Sequence, residues 1–393
     1  MDPLTHGLTG ALIGKAFFAE RGLPSSPDNA RRFRHMATFA AVLGSIFPDA
    51  DLIAELFSKS DLAVIELHRN VTHSFVCLPF FAALLAALTH GYARRRKLEA
   101  PGWAELTLIY ALGIASHILL DVITSFGTMI WSPWKHTRAA WDLAFILDFS
   151  MLAVALLPQT VAWVYRRREQ SFRRGLVLWS VLTAGAAGVT GFMRLVRFGF
   201  SPRVVVAVSV LLAALFFLPA ARGWGFGLRR SSWCRAGLVV FAAYLGVCAA
   251  AHCAALGRVQ QYAASRHLRV ENLGALPLPP SLLHWSGLIR TPEGVYDARL
   301  HLFSGDPPEF RFFADAAPNG YVEAARQLPK VQTYLWFARF PVFHFYQRDA
   351  QPVVEISDLR FFGRPRRPNP FTFSVTFDSA GRVIQQGLVI EPR

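Results

Sequence analysis

The sequence has few charged residues, and this scarcity restricts the class of protein. Charged residues make up 17% of the chain and apolar residues 53%, whereas soluble proteins carry about 25% charged residues. The mean hydropathy is +0.31. Disorder is excluded, because disordered chains combine low hydrophobicity with high charge. The composition favours a protein with several segments that cross a membrane.

Cysteine is also scarce, and common enzyme motifs are missing. The four cysteines form no CxxC pair, so a zinc ribbon and a thioredoxin-like motif are not supported, and we interpret the cysteines as small apolar residues. The sequence contains no phosphate-binding GxxxxGK[ST] loop and no GxSxG nucleophile elbow. The first residues lack a basic segment, so we expect no cleaved signal peptide.

Positive charge exceeds negative charge, and its placement favours a membrane over nucleic acid. The chain has 41 Lys and Arg against 26 Asp and Glu, a formal net charge of +15. The densest basic clusters lie directly beside apolar runs of about 20 residues, as in the cytoplasmic loops of inner-membrane proteins. We therefore expect membrane lipids as neighbours and no nucleic-acid partner.

Eight apolar runs are candidate transmembrane helices, since a spanning helix needs about 20 mostly apolar residues. The runs lie at roughly 4–19, 36–57, 75–93, 104–130, 144–165, 175–193, 204–221 and 236–256. One set of alternate loops holds 17 Lys and Arg and the other set holds 7. The positive-inside rule places the richer set in the cytoplasm, so the N-terminus and the C-terminal region are predicted to be periplasmic.

The character of the sequence changes at about Gly257, where prolines, charges and short alternating segments replace the long apolar runs. We predict a mainly α fold: a polytopic transmembrane bundle of about eight helices over 1–256, followed by a small α+β extracytoplasmic domain over 257–393. The elements expected in that domain are a proline-rich linker at 276–281, a strand near 295–302, a helix over 320–339 and a hairpin over 371–390.

Ionisable residues interrupt the apolar runs of the N-terminal half. Each Asp at a helix centre costs about 2.5–3.5 kcal/mol on insertion scales, so such residues are rare and functional by default. They occur in four fragments, DPLTH (2–6), FPDAD (47–51), HRNVTHS (68–74) and SHILLD (116–121). All four fragments fall on the predicted periplasmic side, so we expect their side chains to face one outer cavity.

The spacing of these residues is typical of metal ligands. His117 and Asp121 are four apart and share a helix face, whereas Asp49 and Asp51 repel each other unless a cation neutralises them. The predicted ligands are four histidines and three aspartates: His6, Asp49, Asp51, His68, His73, His117 and Asp121. Such a set suits Zn²⁺, Mn²⁺ or Fe²⁺, and seven ligands are too many for one tetrahedral zinc, so we expect more than one ion.

The same residues also have structural interpretations. The histidines and aspartates could join helices by hydrogen bonds, or lie solvated at helix ends. Asp2, with Pro3 after it, fits a helix cap as well as it fits a ligand. Asp148 has the position of a cap near the start of the fifth apolar run, and it is kept as a reserve ligand.

The fragments DPLTHGLTGALIG, SIFPDADLI, HRNVTHS and SHILLDVITSFGT, together and in this order, resemble the YdjM-like family of bacterial inner-membrane proteins, described as metal-dependent hydrolases. The resemblance is strong over roughly residues 1–150 and looser beyond them. It implies a metal-dependent hydrolase that acts on phospholipids, by analogy with zinc phospholipases C. All seven predicted ligands fall within these motifs.

We therefore predict a membrane-bound metal-dependent hydrolase that acts on a lipid or phosphoester near the outer face of the inner membrane. Its metal, zinc with manganese or iron as alternatives, would activate a water molecule. Arg69 would hold a phosphate, and Asp51 or Asp121 would accept the water's proton. The alternative is a non-enzymatic membrane protein: a metal or proton transporter, or a structural metal site beside a partner-binding outer domain.

Overall fold

The computed structural model describes residues 1–195, 201–279, 282–361 and 371–389, and helices dominate its N-terminal two-thirds. The helices of this part are α1 Pro3–Phe17, α2 Pro27–Ile46, α3 Asp51–Phe57, α4 Ala63–Glu66, α5 Leu78–Arg95, α6 Trp103–Val122, α7 Phe149–Val164, α8 Ser171–Leu195, α9 Arg203–Ala221 and α10 Arg230–Ser265. The predicted mainly α character is therefore confirmed.

The predicted count of eight spans is not confirmed. Within the described residues, four helical segments are long and apolar enough to cross a membrane: Pro27–Phe57, Trp103–Val122, Arg203–Ala221 and Arg230–Ser265. The pair Ala63–His73 and Leu78–Arg95, bent by 72°, makes a fifth if it counts as one span. α1 and α7, with 15 and 16 residues, fall short of the roughly 20 residues that a full span needs.

α6 ends earlier than the predicted run to residue 130. The segment after Val122 folds back over the helix end, where the Trp141 N–H donates to the Val122 carbonyl at 2.7 Å and the Leu143 N–H to Ile123 at 2.8 Å. Asp121 therefore lies in the last turn of α6. The deeper position that the longer run implied, about nine residues before the helix end, is wrong.

α1, α2 and α6 pack backbone against backbone through small residues. A Cβ on Gly10 of α1 would lie 2.3 Å from Ser45 Oγ, and one on Gly113 of α6 would lie 2.9 Å from the Ala41 carbonyl. Small residues let helices in a membrane approach this closely. The packing brings the ends of the three helices that carry the motif residues to one place.

The C-terminal region contains two four-stranded antiparallel sheets, in orders β1-β2-β3-β4 and β5-β6-β7-β8. Their elements are β1 Asn272–Leu278, β2 His284–Thr291, β3 Gly294–His301, β4 Phe310–Ala314, α11 Gly320–Arg326, α12 Pro329–Phe337, β5 Pro341–Arg348, β6 Gln351–Asp358, β7 Thr372–Phe377 and β8 Val383–Leu388. β3 and the β7–β8 hairpin agree with the predicted strand and hairpin.

Three details of this region differ from the prediction. The helix expected over 320–339 is divided into α11 and α12, because Pro329 starts a new helix. The expected linker at 276–281 begins inside β1, and its residues 280 and 281 lie outside the described residues. The expected boundary at Gly257 lies inside α10, which continues to Ser265.

Both sheets pack against elements of the N-terminal part. Val259 of α10 is buried with Trp285 and Ile289 of the first sheet. Leu62 and Ile65 lie in the core formed by the second sheet, α11 and α12. The chain that connects α3 with the HRNVTHS fragment is therefore fixed by the C-terminal region.

Candidate metal centre

Four side chains from three parts of the chain converge at the end of α6. His73 Nε2 lies 3.0 Å from His117 Nε2, and Asp121 Oδ2 lies 3.2 and 3.5 Å from these two nitrogens. Asp49 Oδ1 completes the set at 3.7 and 3.5 Å from them. We call Asp49, His73, His117 and Asp121 the buried group, and it could hold a metal ion.

The hydrogen bonds of the two histidines show why this group suits a cation. His117 Nδ1 lies 2.6 Å from the Ser45 carbonyl, which only accepts, so Nδ1 carries the proton. His73 Nδ1 lies 3.2 Å from Asp51 Oδ2 and donates in the same way. Both Nε2 atoms then present lone pairs to each other and to two carboxylates, and one divalent cation satisfies all four donors.

A second group lies next to the first, on α3 and the following turn. His68 Nδ1 is 3.1 Å from Asp51 Oδ1 and 3.3 Å from Glu55 Oε1. We call Asp51, Glu55 and His68 the rim group, and it too could hold a metal ion. Since Asp51 uses its other oxygen, Oδ2, to contact His73, it links the two groups.

The sequence analysis expected Asp49 and Asp51 to lie side by side, but their side chains lie in different groups. Residues 47–50 form a 3-10 turn that leads directly into α3. In this helical backbone, side chains two residues apart, such as those of Asp49 and Asp51, point in different directions. Asp49 enters the buried group and Asp51 the rim group. His73 and His68 are divided in the same way, so the expected single cavity is two adjoining ligand groups.

Glu55 is the site residue that the sequence analysis missed. It stands four residues after Asp51 on α3, which places both carboxylates on one helix face. The same spacing drew attention to His117 and Asp121. The proline of FPDAD favours the end of a helix at this point of the sequence, so the helical spacing of Asp51 and Glu55 is evident only in the structure.

His6 lies beside the buried group and outside both groups. Its ring stacks on that of His117 with centroids 3.6 Å apart, and its Nε2 is 3.3 Å from Asp121 Oδ1. Neither of its ring nitrogens has a hydrogen-bond partner within the described residues. His6 therefore lies against the buried group through His117 and Asp121, and its role as a metal ligand stays a prediction.

Arg69 is buried and pairs with Asp121. Its Nε lies 2.9 Å from Asp121 Oδ2, and its Nη1 donates to Thr124 Oγ1 at 2.8 Å. Its backbone N–H donates to Asp51 Oδ2 at 2.9 Å, and its φ of +60° is one that few side-chain-bearing residues adopt. Arg69 thus contacts both groups, while its role as a phosphate clamp remains a prediction.

The two remaining aspartates cap helices. Asp2 accepts the Thr5 N–H at 2.9 Å at the start of α1. Asp148 accepts the N–H groups of Ser150 and Met151 at the start of α7 and the Tyr244 hydroxyl at 2.7 Å. The structural interpretation of both residues agrees with these contacts.

The site is most accessible on the α3 side. The side chains of Asp49, His68 and Glu55 are 15–17% exposed, whereas those of His73 and His117 are fully buried. A water molecule or a substrate group that reaches the converging donors therefore approaches along α3.

Arg138, on the segment after α6, joins the rim group to the C-terminal region. It donates to the His68 carbonyl at 3.0 Å and to the Ile65 carbonyl. Its guanidinium lies against the rings of Phe126 and Trp336, each centroid 5.3 Å away. Burial, and then the nearby guanidinium groups, lower the pKa of Arg138 to about 9.

Comparison with known proteins places these residues in a family. Residues 1–196 match the family model described as YdjM inner membrane protein. Uncharacterized protein YfhP of Bacillus subtilis (strain 168) is 25% identical over 148 residues, which are 38% of this chain and 42% of YfhP, so the match spans less than half of that relative. No solved structure matches significantly. The N-terminal half of this chain, with both ligand groups, belongs to the YdjM inner membrane protein family.

Proposed function

We propose that this protein is a membrane-bound, metal-dependent hydrolase of phosphoesters or other lipid esters, with its centre at the periplasmic face of the inner membrane. The observation that carries the proposal is the convergence of His73 Nε2 and His117 Nε2 with two carboxylates. Asp49, His73, His117 and Asp121 would hold a divalent cation, which would supply an activated water and polarise an ester oxygen. The adjoining rim group supports a second ion.

The residues around the donors have separate tasks in this proposal. Asp51 fixes the orientation of His73 by accepting its Nδ1 proton, as second partners of metal-binding histidines do. Arg69 balances the charge of Asp121 through the Nε contact, and its guanidinium would hold the phosphate of the substrate. Glu55 would accept the proton of the attacking water, because its buried Oε1 accepts no hydrogen bond within the described part of the chain.

Asp121 is less suited to accept a proton than the sequence analysis expected. Its Oδ1 contacts His6 and the Met1 amine, and its Oδ2 contacts Arg69 and His73. With both oxygens engaged by positive or hydrogen-bonding groups, the carboxylate is held in its charged form. Asp51 is engaged in the same way, by His68 at Oδ1 and by His73 and the Arg69 N–H at Oδ2. We therefore assign both aspartates to metal binding and proton acceptance to Glu55.

Metal content and hydrolysis, measured on the same purified protein, test the proposal. We expect bound zinc, manganese or iron, and turnover of a phosphodiester or ester that a chelator abolishes and added metal restores. His117→Ala should lower metal affinity by roughly tenfold or more, since loss of a mere supporting contact costs 10–100-fold. His35→Ala, at an exposed position of α2 ten residues before Ser45, is the matched control.

The outcomes separate the proposal from its alternatives. Metal that stabilises the fold without supporting any hydrolysis would favour a structural site. Metal-dependent uptake into vesicles, again without hydrolysis, would favour a transporter.

A further inference from the structure

α3 is an amphipathic helix built onto the metal centre. Asp51 and Glu55, four residues apart, face His68 in the rim group. The large apolar side chains of the helix are exposed by 43–84%: Leu52, Ile53, Leu56 and Phe57. Water-exposed apolar side chains clustered in this way mark a surface that contacts a membrane or another partner.

α3 lies at the level where the neighbouring helices leave the membrane. Its Asp51 contacts the Arg69 backbone, and Arg69 pairs with Asp121 in the last turn of the apolar helix α6. The segment that covers this helix end exposes three tryptophans by 48–76%: Trp131, Trp134 and Trp141. Exposed tryptophan is enriched at the headgroup level of a bilayer.

α2 and α3 lie together in one of the segments that are long and apolar enough to cross a membrane, Pro27–Phe57. Phe39 and Ile46 of α2 are exposed by 58% and 38%. The C-terminal region takes Leu62 and Ile65 into its core, while the side chains of Leu56 and Phe57 stay 83% and 84% exposed. Continuity with a spanning helix identifies the bilayer as the occupant of this surface.

We infer that α3 lies on the bilayer surface as a lip at the entrance of the site. Leu56 and Phe57 then lie in the boundary between headgroups and acyl chains, and a phospholipid headgroup reaches the rim group by moving laterally over α3. The contact with the bilayer follows from exposure and position alone. The headgroup as substrate rests on the proposed function. A lateral entrance agrees with the greater exposure of the rim group.

The position of the lip is tested without any activity measurement. In a variant with its four cysteines replaced, a fluorescent label is attached to Leu56→Cys or to Phe303→Cys, and the protein is placed in vesicles. Phe303, 82% exposed in the C-terminal region, matches Phe57 in exposure and contacts His301. We expect spin-labelled lipid to quench the label at 56 and aqueous iodide to quench the label at 303. Quenching of both labels by iodide alone would overturn the lip.

Turnover tests the path of the headgroup. Leu56→Ser with Phe57→Ser should lower hydrolysis of long-chain phospholipid in vesicles about tenfold relative to hydrolysis of a water-soluble short-chain analogue, while Phe303→Ser should leave this ratio unchanged. An unchanged ratio in the double variant would overturn the lateral path. If the unaltered protein hydrolyses neither substrate, the proposed function fails, and the quenching result still decides whether α3 is a lip.

Discussion

Asp121 is the residue around which the site is organised. Its side chain is 1% exposed and lies within 3.5 Å of Arg69, His6, His73 and His117. A carboxylate buried in this way is stable only when paired charges and hydrogen bonds replace its water. Arg69 supplies a cation that cannot itself bind metal, and the Asp121 oxygen that it contacts, Oδ2, is also the oxygen that lies beside His73 and His117.

Arg69→Ala is expected to separate metal binding from turnover. Guanidinium is not a metal ligand, so metal content should stay near that of the unaltered protein, whereas turnover should fall about 100-fold, as on loss of one preorganised donor. Arg69→Lys should recover only part of the turnover, because lysine lacks the planar fork that meets Asp121 and Thr124 together. Equal loss of metal in Arg69→Ala and His117→Ala would make Arg69 a structural brace.

At the scale of elements, small residues decide where the ligands meet. α1, α2 and α6 approach through glycine, alanine and serine, and Ser45 of α2 both contacts the Gly10 face and accepts the His117 Nδ1 proton through its carbonyl. The close contact between the helices and the orientation of the His117 ring therefore both depend on Ser45. A larger residue in this contact would move Asp49 and His117 apart.

Gly10→Ala is expected to destabilise the bundle, because the added Cβ would lie 2.3 Å from Ser45 Oγ and 2.5 Å from the Ala41 carbonyl. Overpacking of this kind costs about 1–3 kcal/mol. Thermal unfolding in detergent should show a lower midpoint, together with weaker metal binding. Gly7→Ala on the same helix meets nothing closer than 3.7 Å and should leave both unchanged. Equal midpoints for the two variants would contradict the close contact.

At the scale of the molecule, the C-terminal region covers the segment that follows α6 beside the candidate metal centre. Arg339 pairs with Asp142 at 2.9 Å, the Trp336 indole donates to the His136 carbonyl, and Arg360 donates to the Ser125 carbonyl. Together with the burial of Leu62 and Ile65, these contacts connect the sheets to the two segments beside the rim group, one after α3 and one after α6. The C-terminal region must therefore lie on the same side of the membrane as the site.

A topology reporter tests the side itself. The excess of Lys and Arg in the opposite loops predicts that a reporter active only in the cytoplasm is silent when fused after Arg393. The same reporter inserted after Leu98, in the predicted cytoplasmic loop between α5 and α6, should be active. Activity after Arg393 would reverse the orientation and move the metal centre to the cytoplasmic face.

The sequence by itself determined the membrane class, the family motifs and the residue types of the site. Hydropathy and ligand chemistry are properties of local sequence. Polar residues within or directly beside apolar runs were therefore recognisable without coordinates, among them Asp49, His73, His117 and Asp121. The strands near 295–302 and 371–390 were equally local, since alternation and turn residues specify them.

Only the tertiary structure decided which of these residues belong to the buried group and which to the rim group. The division into a buried group and a rim group depends on the 3-10 turn at 47–50 and on the rotation of α3, which brings in Glu55. The pairing of Arg69 with Asp121 and the stacking of His6 on His117 join residues far apart in sequence. Such contacts follow from how helices pack against one another, and a linear pattern of residue types carries no information about that rotation.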